Sequence, residues 1–246
     1  MANSETEKSQ IRYARLAGFM FLFVDLADFM SMHITGRFQV PGNFTETAHR
    51  IAGSELLYRI GLSSFLIGGL CSVLLAMGLY GAVKPINKNL ALLALVFRLV
   101  EATLFGVVSI ISFSVLQLYT GADSANLFDA KQLSVLVSLS SEAGSAGFNI
   151  GAIFFGVGSI LFFYLFLKSN YIPKVLSALG LFGSVLVPIA CFGSLIMPQY
   201  AGMLQFGWMP VAIAEILVGL WLLFKGVNLR PRENGSMELL ATQSAR

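Results

Sequence analysis

Charge is scarce in this sequence. Lys, Arg, Asp and Glu make up 12% of its residues, against about 25% in an ordinary soluble domain. With 56% of the chain hydrophobic and a mean hydropathy of +0.77, one soluble core could not hide the apolar surface and still clothe its exterior. A soluble globular domain is excluded, and lipid is the expected solvent. Basic clusters are missing too. The net charge of +3 is spread along the chain, so there is no nucleic-acid face and no nucleic-acid partner is expected. The only two cysteines, Cys71 and Cys191, lie in separate apolar runs and read as small core residues, not a disulfide framework. The two histidines, His33 and His49, lie near one loop without cysteine beside them. They make a poor metal set, and neither metal nor cofactor is expected. There is no Gly-Lys-Ser/Thr phosphate loop, nucleophile elbow or zinc-protease motif. No catalytic residue is assigned, and a non-enzymatic role is favoured. The opening "MANSETEKSQ" lacks the apolar region and cleavage site of a signal peptide, so the first apolar segment is expected to stay as a span.

What the sequence does have is long apolar runs. Stretches near 13–33, 59–82, 90–118, 146–167, 174–197 and 207–224 each approach the roughly 20 residues needed to cross about 30 Å of hydrocarbon. They predict an all-α polytopic membrane protein: six transmembrane helices in one bundle and one domain, with polar tails at 1–11 and 227–246. Lys8, Arg12 and Arg15 flank the first span, Lys84 and Lys88 the second loop, and Lys168 and Lys174 the fourth. Lys225, Arg230, Arg232 and Arg246 follow the last span, while the opposite side has only Arg37, Arg50, Arg59 and Lys131. Cytoplasmic loops carry the Lys/Arg excess. Both termini are therefore expected in the cytoplasm of a multi-pass protein of a bacterial inner membrane.

The loop after the first span is long. Asn43 and Glu46 have the spacing of an N-cap and its third helical residue, which predicts a short surface helix. Glu55 and Arg59 then fall one turn apart with the acid first, the better orientation. Residues 119–131 form a second outer loop. Within the spans, Ser64, Gly68, Ser72 and Ala76 repeat on one face, as do Gly144, Gly147 and Gly151, and Gly180 with Ser184. Small residues in lipid mark close helix approach. The plain reading is packing within the bundle, the sharper one a homo-oligomer seam, a membrane partner or a ligand groove. Pro188 and Pro210 lie in the fifth and sixth spans, where each would remove a helix hydrogen bond.

The strongest functional signal is charge inside the spans. At about 1.5 Å per residue, Arg98 lies roughly 12 Å from the start of its span and Glu101 roughly 17 Å. Counted from their basic flanks, Asp25 and Glu215 are each roughly 15 Å deep, and Asp28 is one turn beyond Asp25. Three spans thus bring a carboxyl to about the midplane. A charge at a helix centre costs about 2.5–3.5 kcal/mol on insertion scales, so these groups are expected to face one another or water. Arg98 and Glu101 share a helix face. Four carboxyls to one guanidinium leave acids to be balanced by protons, a cation or a water-filled cavity. Glu142 belongs to a different, outer layer.

Several stretches carry a family resemblance: "RLAGFMFLF", "GSELLYRIGL", "VKPINKNLALLALVFRLVEA" and "IGAIFFGVGSILFFYLFLKSNYIPKVLSALGLFG". They resemble the bacterial membrane family DUF4386, over most of residues 12 to 185. The resemblance implies a compact six-helix membrane domain and no particular activity. The leading expectation is a pocket at the midplane that binds or transports a small molecule or ion, built from Arg98, Glu101, Asp25, Asp28 and Glu215. The alternative is a non-catalytic scaffold or accessory subunit whose buried charges only clasp the helices. An intramembrane enzyme fits less well, because Asp25 and Asp28 share one helix.

Overall fold

The computed structural model describes residues 2–121 and 128–229. The described residues form helices and no strands. The helices are α1 (Ala2–Gly36), α2 (Phe44–Gly53), α3 (Glu55–Val83), α4 (Lys88–Thr120), α5 (Ala130–Ser169) and α6 (Lys174–Ile196). Short 3-10 turns at Pro198–Tyr200 and Gln205–Trp208 flank α7 (Ala201–Leu204), and α8 is Met209–Phe224. Among the described residues six helical segments are long and apolar enough to cross a membrane. This is the fold of a multi-pass membrane protein.

Local chemistry sets the helix ends. Asn87 caps α4 by accepting from the Leu90 N–H at 3.0 Å. Asp129 and Gln132 form a reciprocal capping box at the start of α5, which satisfies two otherwise unpaired backbone donors. That cap explains why the fourth span's helix begins at Ala130, well before its apolar stretch. α5 ends at Asn170, whose φ of 56° is a left-handed stop that asparagine tolerates. The polar N-terminal residues continue α1 instead of forming a separate tail. Buried Gln10 ties them down by donating to the Ala82 carbonyl at 2.6 Å. Residues 122–127 of the expected 119–131 loop, and Arg230, Arg232 and Arg246 of the tail, lie outside the described residues.

The surface helix α2 forms as its caps predict, with Asn43 accepting from the Glu46 N–H at 3.0 Å. Glu55 and Arg59 pair at 2.6 Å in the first turns of α3. Replacing Asn43 by Ala is expected to weaken α2 by about 1 kcal/mol, seen as faster amide exchange confined to 44–53. Exchange unchanged there would show that Ile51, fully buried, anchors this helix without its cap.

The six long helices close into a ring in chain order. α1 packs on α3, α3 on α4, α4 on α5, α5 on α6, α6 on α8, and α8 returns to α1. Large side chains such as Leu26, Leu70, Ile110, Phe182 and Ile189 point outward, as lipid-facing surfaces require. Small residues line the seams. A Cβ on Gly68 or Gly78 would strike α1, one on Gly147 or Gly151 would strike α4, and one on Gly180 would strike Phe163 of α5. These faces are thus used within the bundle. Pro188 fits against Gly156, and the Ser184 carbonyl that it leaves free faces the same glycine. Pro210, expected to break a helix bond, does not: it sits in the first turn of α8, where the N–H has no helical partner in any case.

One end of the ring carries Lys84, Lys88, Lys168, Lys174 and Lys225. It is sealed by an apolar core that includes Phe162, Phe166, Leu222 and Val83. The loop after α5 contributes Tyr171 and Ile172 to this seal, each 1% exposed. The Tyr171 carbonyl accepts from the Asn228 N–H at 2.9 Å. The opposite end, where α2 lies, is open.

Candidate functional site

The ring brings together the five charged groups that the count along the spans singled out. Glu215 on α8 lies within electrostatic range of Asp25 and Asp28 on α1 and of Arg98 and Glu101 on α4. Arg98 and Glu101 are each 2% exposed and Glu215 is 8% exposed, so bulk solvent does not screen them. The i, i+3 spacing on α4 sets the closest pair, with Arg98 Nη1 3.1 Å from Glu101 Oε2. The two are in contact but not aligned as a hydrogen bond. Among the described residues Arg98 Nε and Nη1, Glu101 Oε2 and Asp25 Oδ2 have no hydrogen-bond partner in the protein. Buried polar atoms left in this way cost free energy.

Glycines and one aromatic ring make room for the cluster. A Cβ on Gly158 of α5 would come within 3.0 Å of Arg98 Cγ, so the aliphatic stem of the arginine lies in a slot where α5 has no side chain. Its guanidinium stands 4.6 Å from the centre of the Phe155 ring, a cation–π placement. Across the ring, a Cβ on Gly68 of α3 would come within 2.7 Å of Asp28 Oδ1. One function of the small-residue face of α3 is therefore to seat this carboxyl. Glu142 stands apart, exposed and bonded by the Ser138 hydroxyl at 3.3 Å.

Toward the open end, a partition of aromatic rings covers the cluster. Phe65, Phe105 and Phe148 meet from α3, α4 and α5, with Phe105 and Phe148 stacked at 5.3 Å. Trp208 lies 5.7 Å from both Phe148 and Phe155. Beyond the partition is a cavity of about 470 Å³, walled by α1, α3, α4, α5, α6 and the 201–208 connector. None of the five charged residues lines it. Sequence reasoning located the charges but missed Gly158, the rings and the cavity. Gly158 carries a local signal, being a glycine in the helix opposite an arginine-bearing one. The partition carries none, because its rings come from four separate segments.

The arrangement can hold a cation or proton among carboxyls, with one fixed positive charge, between an apolar seal and an aromatic lid. Comparison with known proteins adds family membership and no activity. The chain is 28% identical over 159 residues, 64% of its length and 78% of the relative's, to an uncharacterised protein of the archaeon Archaeoglobus fulgidus. No solved structure matches it. The family model described as "Domain of unknown function (DUF4386)" matches residues 16–226, and the chain, with its six-helix ring and central charges, belongs to that family.

Proposed function

We propose that the protein is a membrane carrier that binds a proton or small cation, alone or with a solute, at Asp25, Asp28, Arg98, Glu101 and Glu215. The observation that carries this reading is four carboxyls within electrostatic range of one guanidinium, with Arg98, Glu101 and Glu215 buried and Asp25 and Asp28 half-buried beside them. Such a cluster is short of positive charge, and intramembrane carboxyls of this kind mark ion and proton sites. The apolar seal at one end and the aromatic partition at the other support a carrier with its site closed from both sides. We place the protein in the plasma membrane as one domain, with the basic end and both termini in the cytoplasm, on the Lys/Arg bias.

Dicyclohexylcarbodiimide, which modifies protonated carboxyls in apolar surroundings, tests the reading. In nanodiscs, mass spectrometry should find one or more of the four acids modified. Slowing by Na+ or K+ would make the occupant a metal cation; indifference to both would make it a proton. Complete lack of modification at all four would remove the carrier reading. One observation favours the scaffold alternative: the five groups do not line the cavity, as a clasp joining α1, α4 and α8 requires.

A further inference from the structure

The cavity at the open end has its own chemistry. We propose that it is a binding site for an uncharged ring-shaped solute bearing several hydroxyl or amide groups, of the class of cyclic polyols, sugars and nucleosides. Its volume of about 470 Å³ lies within the roughly 300–1,000 Å³ usual for small-molecule sites. It sits on the axis of the ring, walled by segments from all around it. By contrast, a smaller cavity of about 280 Å³ is lined by α3 and α4 alone, as a lateral groove would be.

The lining selects against charge. Among the described residues that line it there is no Asp, Glu, Lys, Arg or His, so an ion held against them would lose hydration without gaining a counter-charge. Yet it is rich in neutral hydrogen-bonding groups, among them Tyr58, Tyr119, Ser145, Asn149 and Gln205. Their present bonds leave them usable. Asn149 donates its amide N–H to the Ser145 carbonyl at 2.9 Å, which leaves its side-chain oxygen to accept. Tyr58 Oη accepts from Gln39 at 3.4 Å, which leaves its hydroxyl proton to donate. At the base, Phe148 and Trp208 present rings 5.7 Å apart and tilted by 32°. Such rings offer a platform to the flat face of a sugar or base. Neutral donors and acceptors around the wall and rings at the base together fit a polar ring and reject a free ion. This site is separate from the charge cluster, and the inference stands whether or not that cluster holds a cation.

The chain supplies a reporter. It has two tryptophans: Trp208 in the cavity, and Trp221, which stands against Lys225 at the basic end. Trp221→Phe leaves Trp208 as the sole tryptophan emitter. In nanodiscs this variant is titrated with myo-inositol, glucose and uridine, and with glutamate and lysine as charged comparators. A saturable shift of Trp208 emission is expected with at least one neutral probe and with neither comparator. It should be lost when Ser145→Phe fills the cavity, or, where that variant unfolds, when Asn149→Leu removes an acceptor. No saturable shift with any neutral probe, an equal shift with the comparators, or a shift that survives in the folded second-site variant would overturn the proposal. Carbodiimide labelling of the charge cluster does not enter this readout, so either proposal can fail alone.

Discussion

Arg98→Met is expected to lower unfolding stability in detergent by about 3–5 kcal/mol, the cost of removing one member of a buried ion pair and leaving the other. The methionine fills much of the same slot beside Gly158, so lost volume is a minor part of the effect. What remains is a set of four carboxyls with no fixed positive charge among them. Glu101→Gln should behave differently. The amide keeps the shape, and Arg98 still has Asp28, Asp25 and Glu215 within electrostatic range. A loss of about 1 kcal/mol is expected, the order of one lost polar contact when the remaining group keeps other partners. The asymmetry between the two variants is the test, read as thermal midpoints in one detergent. Equal and negligible shifts would show that Arg98 is not the keystone of the cluster.

The second large effect is steric. Gly18→Ala should destabilise by about 3 kcal/mol, the upper part of the usual overpacking range. At this position α1 meets α8 backbone to backbone. The added methyl would collide with the Leu223 nitrogen and lie 2.7 Å from the Gly219 carbonyl oxygen, atoms that no side-chain rotation can move aside. Relief requires the helices to separate. Those two helices carry Asp25, Asp28 and Glu215, so the same change should loosen the charge cluster and alter carbodiimide labelling. Gly106→Ala is the control. Nothing lies within 4 Å of the added Cβ there, and replacing a mid-helix glycine gains roughly 0.5–1 kcal/mol. Thermal midpoints should therefore move in opposite directions. A Gly18→Ala protein as stable as wild type would mean that α1 and α8 do not approach so closely.

The contrast between these two glycines shows how far local pattern reaches. Both lie in apolar helices, and nothing in their neighbouring residues separates them. Only the helix that arrives from elsewhere makes one indispensable and the other idle. Pro188 and Pro210 teach the same lesson. They look alike as prolines in apolar runs, yet one is an interior residue of α6 seated on Gly156 and the other begins α8. The surface helix α2 is the opposite case. Its cap, its partner three residues on and the Glu55–Arg59 pair are local interactions, so their spacing in the chain was enough.

The sequence by itself determined the all-α class, the six apolar spans and the position of Asp25, Arg98, Glu101 and Glu215 along them. Hydrophobicity, a rise of about 1.5 Å per residue and the cost of buried charge are properties of the chain alone. Only the tertiary structure decided that α8 closes on α1, and hence that carboxyls on separate helices come within electrostatic range of one another. It likewise decided that an apolar seal lies at one end, and that rings from distant segments part the charges from an uncharged cavity at the other. Depth is a sum along one helix. Facing is a relation between helices, and it depends on where glycines let backbones touch.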